Sequence, residues 1–113
     1  MEVWTKSIEL AEKVYRISAV FPSDERFGIT SQIRRAVTSV ATNIAEGAER
    51  DGTKEFLHFL SIAGGSLAET ETFLILAVRL KLTTQNAVDP LLVQAAVVGR
   101  MINGLKRSLR SKL

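Results

Sequence analysis

Apolar residues recur at every third or fourth position along most of the chain, the spacing that places them on one face of an α-helix. In the first segment, two such series run side by side from Val3 to Phe21, and charged residues occupy the opposite side. Pro22 follows directly, and a proline disfavours helical backbone in the residue before it. The pattern therefore predicts a first amphipathic helix over about residues 3–21.

A second helix is predicted after a connector that covers residues 22–29. Thr30 and Ser31 each supply a hydroxyl that accepts a hydrogen bond from the free N–H groups of a first helical turn, so either is a suitable N-cap. From there an aliphatic stripe continues at helical spacing to about Arg50, with small alanines beside it. We expect this helix to run over about residues 31–50.

A third helix is predicted after a break at residues 51–52, with Thr53 as its cap and its end near Leu82. More than half of its circumference is apolar, and such a helix needs more than one packing partner. Gly64 and Gly65 lie in its middle, where glycine is less favourable than alanine. We therefore expect close helix packing or an interface at these glycines.

A fourth helix has two candidate starting points. Thr83 or Thr84 can cap a first turn, whereas Asp89 followed by Pro90 is typical of an N-cap with proline at the first helical position. We favour a start at Asp89. An apolar stripe then continues to the C-terminus, and the outer face of the second half is basic.

Four helices with short connections and no strand-like alternation predict an all-α protein. We expect a single domain over residues 1–113, folded as an up-down-up-down antiparallel four-helix bundle. The third and fourth helices carry more apolar surface than the core of one bundle can bury, which predicts a closed homo-oligomer built through them. The candidate interface residues are Ile62, Phe73, Leu80, Val93 and Val97.

Composition excludes several classes of protein. Hydrophobic residues make up 46% of the chain, which excludes a disordered protein, and the absence of cysteine excludes disulfides and thiolate metal sites. A chain without cysteine is typical of a reducing compartment. The N-terminal residues lack the pattern of a signal peptide, and no uninterrupted apolar run approaches the roughly 18 residues of a membrane span. We expect a cytoplasmic protein that does not associate with membranes.

Positive charge is concentrated towards the C-terminus. The net charge is +3, yet residues 90–113 contain five of the fifteen Lys and Arg residues and none of the twelve Asp and Glu residues. Cations without acidic neighbours suit phosphates, so we expect contacts with RNA or DNA, and an acidic protein partner is the alternative. The candidate nucleic-acid-binding residues are Arg100, Lys106, Arg107, Arg110, Lys112, Arg34 and Arg35.

Two further observations qualify that expectation. Arg35 shares a helix face with Glu46 and Arg50, so ion pairs within the chain or with a neighbouring subunit are the alternative role for the Arg34-Arg35 pair. The aromatic residues mostly fall on apolar stripes, which disfavours recognition of single strands by base stacking.

The sequence offers no catalytic constellation. Glu55 and His58 have the spacing of di-iron bundles, but such sites need a second copy of the motif and two more glutamates, and His58 is the only histidine. The run Gly64-Gly65-Ser66 has the composition of a phosphate loop without the preceding strand or the following lysine. We expect a protein that is not an enzyme and that uses no metal or cofactor.

Several runs of residues resemble one protein family. It comprises the small four-helix-bundle proteins encoded in intervening sequences of bacterial large-subunit ribosomal RNA genes, which are similar to the accessory variability proteins of diversity-generating retroelements. The resemblance covers nearly the whole chain. The matching residues are Trp4, Gln32-Ile33-Arg34-Arg35-Ala36, Ser39, Asn43-Ile44-Ala45-Glu46-Gly47, Glu55-Phe56, Ile62-Ala63-Gly64-Gly65-Ser66-Leu67, Glu69 and Gly99-Arg100-Met101-Ile102-Asn103-Gly104-Leu105.

The resemblance implies a homopentamer with a positively charged surface that binds RNA or DNA. An accessory module that docks on an acidic protein, such as a polymerase, is the alternative function. Among the motif residues, we expect Asn43 and Glu46 to hold the link between the second and third helices, and Gly47 to permit close packing or a bend. We also expect a structural role for Ser66.

Overall fold

The computed structural model describes all 113 residues and consists of four α-helices without a β-strand. The helices are α1 (Glu2–Ser18), α2 (Ile29–Glu49), α3 (Thr53–Arg79) and α4 (Gln85–Arg110), and one 3₁₀ turn, Ser23–Glu25, lies between α1 and α2. Each helix packs against the next, and α4 closes the bundle against α1. The predicted all-α fold with up-down-up-down connections is confirmed.

The core follows the apolar stripes of the sequence. Leu10, Ile33, Leu74 and Ile102, one from each helix, are almost completely buried in a continuous cluster along the bundle. A smaller cluster of Phe21, Ile29 and Ala77 closes the end where α1 passes into α2. The core therefore extends into a connector as well as along the helices.

The start of α2 differs from the prediction. The helix begins at Ile29 rather than at Ser31, and its N-cap is Gly28, with no side-chain capping hydrogen bond from Thr30 or Ser31. Ile29 is buried against Ala77. Burial of this side chain stabilises the additional residues of the helix, a contribution that capping residues in the sequence do not indicate.

The ends of α3 differ as well. Thr53 is its first residue rather than its cap, Gly52 holds the cap position, and the helix ends at Arg79 instead of Leu82. Lys81 has a φ of 62°, and the Leu82 N–H donates to the Ala77 carbonyl. This left-handed residue closes the helix in the position where glycine is most common.

The predicted start of α4 at Asp89 is wrong. The helix begins at Gln85, and the Thr84 hydroxyl accepts a hydrogen bond from the Ala87 N–H at 3.2 Å. Pro90 therefore lies within the helix, and Val88 in the additional turn is fully buried. That burial explains why the chain is already helical before the proline.

The two mid-helix glycines of α3 do not serve packing within the chain. A Cβ atom built on Gly64 or on Gly65 would meet no atom of another helix within 4 Å. By length and composition, α3 is the one helix apolar enough to cross a membrane, and a third of its apolar window is buried in the bundle. The molecule is a compact globule in which α3 retains much unpartnered apolar surface.

Candidate nucleic-acid interface

The C-terminal cations form a basic surface on the outer side of α4. Arg100, Arg107 and Arg110 are exposed and recur at helical spacing, so they share one face over about 15 Å of helix. Lys106 is half-buried beside them, and Lys112 is exposed just beyond the helix end. We refer to these five residues as the α4 surface.

No acid neutralises the α4 surface. The four ion pairs of the chain connect residues of α1, or residues around the α2–α3 connection, and none includes a cation of α4. Each positive charge on this face is therefore available to an external anion.

Arg34 and Arg35 are adjacent in sequence but differ in environment. The Arg34 Nε donates to the Ser18 Oγ at 2.8 Å, its Nη2 donates to the Tyr15 carbonyl oxygen at 3.2 Å, and its guanidinium stacks over the Tyr15 ring. Arg34 thus joins α2 to the last turn of α1. Arg35 is exposed and makes no ion pair or side-chain hydrogen bond within the chain.

Two adjoining cavities meet at Arg35. The larger, about 650 Å³, lies between α2 and α3, and we call it the α2–α3 groove. The smaller, about 320 Å³, is lined by three arginines, and we call it the arginine pocket. Ser31 and Arg35 line both cavities.

Three polar side chains are connected by hydrogen bonds beside the α2–α3 groove, and two of them, Ser39 and Ser66, line it. The Asn43 Nδ2 donates to both the carbonyl oxygen and the Oγ of Ser39, each at 2.8 Å, and the Ser66 Oγ donates to the Ser39 Oγ at 2.9 Å. Asn43 and Ser66 therefore meet through Ser39. The three residues join α2 to α3 in the middle of the bundle, away from the interhelical link.

Glu46 and Gly47 lie nearer to that link. Arg50 pairs with Glu46 at 3.6 Å and with Glu55 at 3.7 Å, so exposed charges bridge the turn from α2 to α3. A Cβ atom on Gly47 would lie 2.8 Å from the Phe59 Cβ, which places the two helices in close contact there.

Chemistry typical of enzymes is sparse. No group of three or more His, Cys, Asp and Glu residues is placed to hold a metal ion, and His58 is exposed with its ring edge-on to Phe59. Partial burial on α3 raises the pKa of the Glu71 carboxyl above its ordinary value of 4.5. Glu71 lies outside both cavities.

The sequence reasoning missed Phe27. Its side chain is 86% exposed at the rim of the α2–α3 groove, and the Arg26 guanidinium carbon lies 4.8 Å from its ring centroid. A signal was present in the sequence, because Phe27 lies in the connector before α2 and belongs to no apolar stripe. Unlike the aromatic residues on the apolar stripes, Phe27 is accessible to a stacked base.

The candidate interface residues lie on two opposite edges of the bundle. The Gln94 side chain donates to the Lys6 carbonyl oxygen, so Gln94 lies on the side of α4 that faces α1. Val93, which is 67% exposed, and Val97 lie next to Gln94 on this side. Ile62, Phe73 and Leu80 share the side of α3 that carries Ser66 and faces α2. Ile62 and Leu80 are exposed, whereas Phe73 and Val97 are half-buried.

Comparison with known proteins identifies relatives of the whole fold. The family described as 23S rRNA-intervening sequence protein matches residues 1–104. A crystal structure from Bacteroides thetaiotaomicron, of a protein with unknown function from the S23 ribosomal protein family, is similar with a TM-score of 0.86. The two sequences are 24% identical over 93% of this chain and 95% of that chain, which supports the shared fold alone. No curated protein sequence matches significantly.

Proposed function

This chain belongs to the 23S rRNA-intervening sequence protein family, and from that premise we propose that it is a non-enzymatic cytoplasmic protein that binds RNA as a homo-oligomer. The observation that carries the proposal is the α4 surface, where Arg100, Arg107 and Arg110 are exposed and unpaired. Guanidinium groups match phosphate oxygens in geometry as well as in charge.

Binding by the α4 surface acts mainly on the phosphate backbone. Contacts to phosphates position a nucleic acid without reading its sequence, and each neutralised phosphate releases counterions. We therefore expect RNA binding with little sequence preference and a steep dependence on salt. Repetition of the surface around an oligomer multiplies these contacts on one RNA molecule.

Self-association is the second part of the proposal. Exposed apolar residues on opposite edges of one bundle support a heterologous contact, in which Ile62 on α3 of one subunit meets Val93 on α4 of the next. Such contacts form a closed ring when the rotation between subunits closes. The family resemblance favours five subunits in that ring.

The test is a triple variant in which Arg100, Arg107 and Arg110 are each replaced by glutamate. We expect weaker binding to unrelated RNA sequences and a flatter slope of log affinity against log salt, with unchanged helicity and oligomer mass. A matched control replaces Arg16, Lys54 and Arg79, three exposed cations on other helices, by glutamate and makes the same change in net charge.

Two results would contradict the proposal. One is a triple variant that binds RNA as tightly as the control and with the same salt slope. The other is a wild-type protein that retains no nucleic acid when purified at low salt, judged by absorbance at 260 and 280 nm before and after nuclease. The second result would favour docking on an acidic protein instead.

A further inference from the structure

The two cavities that meet at Arg35 have complementary chemistry. The arginine pocket is lined by hydroxyl and guanidinium groups and contains no carboxylate, whereas the α2–α3 groove contains aromatic rings, an amide and one carboxylate. We propose that together they bind one unpaired nucleotide, with its phosphate in the arginine pocket and its base in the α2–α3 groove. The inference rests on the proposed function in taking that nucleotide from RNA. It also requires a subunit contact that leaves the groove open, so Phe73, which lines the groove, then belongs to the nucleotide site and not to the interface.

The arginine pocket is suited to a phosphate because three arginines line it and one of them is held in place. Arg34 is fixed through Ser18 and Tyr15, so its guanidinium needs no ordering when an anion arrives. Arg26 and Arg35 line the same pocket and have no acidic partner within the chain. Three positive charges converge here without a neutralising group.

Thr30 provides a second, independent observation. Thr30 lines the arginine pocket, and its Oγ1 is buried without a hydrogen-bond partner. A buried hydroxyl without a partner is unfavourable, and such groups are uncommon in folded proteins. The hydroxyl is covered in the unbound chain, so a rotation of the Thr30 side chain must accompany binding for a phosphate oxygen in the pocket to accept this hydrogen bond.

The groove offers a platform for a base at its rim. Phe27 presents its ring almost entirely to solvent, and Arg26 covers only one of the two ring faces. The remaining face is free for stacking, the interaction by which proteins hold unpaired bases. At about 650 Å³, the groove also lies within the size range of small-ligand sites.

Polar groups in the groove can contact the edge of a stacked base. The Ser39 and Ser66 hydroxyls both line it. Because the Ser66 hydroxyl donates to the Ser39 Oγ, the Ser39 hydroxyl proton has no acceptor in the chain. Glu69 lines the same cavity, makes no ion pair, and can accept from an exocyclic amino group. Its negative charge also disfavours a phosphate in the groove and so fixes the orientation of the ligand.

Two consequences follow from this arrangement. The base must be unpaired, because the Watson–Crick edges of a duplex are already engaged and its stacked bases cannot reach Phe27. Adenine, cytosine and guanine carry an exocyclic amino group that can donate a hydrogen bond to the Glu69 carboxylate, whereas uracil has no such group. We expect single-stranded RNA to bind better than a duplex, and oligouridine to bind more weakly than oligoadenosine.

The experiment compares binding of fluorescent single-stranded and hairpin RNA by anisotropy at several salt concentrations. We expect Phe27→Ala to weaken single-strand binding by about tenfold without changing the salt slope, and Phe27→Leu to restore little of it because an aliphatic chain does not stack. Arg35→Ala should weaken binding and lower the salt slope by about one. Val20→Ala, at another exposed apolar residue between α1 and α2, is the matched control.

A second arm tests the groove without RNA. Amide shifts in NMR spectra with adenosine or guanosine monophosphate should map to Ser31 and Arg35 and disappear in Phe27→Ala. If the wild-type protein binds no RNA but shows these shifts, the α4 proposal fails and the groove is a site for free nucleotides.

The inference is overturned if RNA binds and both Phe27→Ala and Arg35→Ala keep wild-type affinity and single-strand preference. The α4 proposal would survive that result. It is also overturned if Phe27→Ala changes the oligomer mass, because the groove would then be a contact between copies of the chain.

Discussion

Arg34 contacts Tyr15 twice, through a hydrogen bond to its carbonyl oxygen at 3.2 Å and through a guanidinium that lies 4.6 Å from the centroid of its ring. The same side chain donates to Ser18. A planar group with several donors can satisfy all three contacts at once, and its charge lies favourably at the C-terminal end of α1. Arg34 therefore holds the α1–α2 corner on which the arginine pocket is built.

Loss of the Arg34 contacts should destabilise the fold. We expect Arg34→Ala to lower the free energy of unfolding by about 1–2 kcal/mol, because one cation–π contact and two hydrogen bonds are removed. Arg34→Lys should recover only part of that loss, since an ammonium group lacks the planar geometry. The measurement is urea unfolding, with Arg35→Ala as a control that stays within about 0.5 kcal/mol of wild type. Full rescue by lysine would contradict the argument from geometry.

Two glycines should respond to alanine with opposite signs. A Cβ on Gly47 would meet Phe59 at 2.8 Å and Phe56 at 2.9 Å, so Gly47→Ala should lower stability by about 1–3 kcal/mol. Gly65 has open space around it, and Gly65→Ala should raise stability by about 1 kcal/mol through helix propensity. Thermal unfolding followed by circular dichroism measures both changes. If both variants changed the melting temperature in the same direction and by the same amount, the close contact with Phe59 would not be the reason for glycine at position 47.

Self-association can be tested on its two edges separately. We expect Ile62→Glu and Val93→Glu each to dissociate the wild-type assembly to a chain of 12.4 kDa, because a charge is placed in an apolar contact. Each variant still carries one intact edge. An equimolar mixture of the two should therefore form a heterodimer in light scattering.

The matched control for those variants is Val20→Glu, a change at an exposed valine between α1 and α2 that should leave the mass unchanged. A wild-type monomer at micromolar concentration would defeat the proposal of self-association. A mixture that stays monomeric would defeat the pairing of opposite edges.

Glu71 should make stability depend on pH. Burial raises the pKa of its carboxyl, so its contribution to stability is fully present below about pH 4.5 and is lost as the pH rises through the raised value. In Glu71→Gln, the side chain at this position is an amide that stays uncharged at all pH values. We expect this variant to melt at a higher temperature than wild type at pH 7 and at a similar temperature near pH 4. Glu49→Gln, at the exposed end of α2, controls for the loss of one negative charge.

The helical periodicity contains enough information to predict the bundle. Stripes centred on residues such as Leu10, Ile33, Leu74 and Ile102 are buried as their spacing predicts, and short connections between long helices leave few arrangements other than an antiparallel one. The concentration of cations in α4 is likewise a property of sequence alone. Their exposure follows from their position opposite the buried stripe.

The helix boundaries depend on tertiary contacts. Ile29 and Val88 extend α2 and α4 beyond the predicted starts because both side chains are buried against other helices. Capping motifs in the sequence depend only on neighbouring residues. They cannot register a stabilisation that arises when a distant segment packs on the same residue.

The sequence by itself determined the four helices, their buried faces and the basic end of α4, because each depends on spacing along one helix. Only the tertiary structure showed that Arg34 is hydrogen-bonded to α1 whereas Arg35 makes no such contact. Only the tertiary structure showed the hydrogen bond between Ser66 and Ser39. It also placed Phe27 at the rim of the groove between α2 and α3. Such relationships arise between residues far apart in sequence and depend on how the helices are rotated and placed against each other, which periodicity within a single helix leaves open.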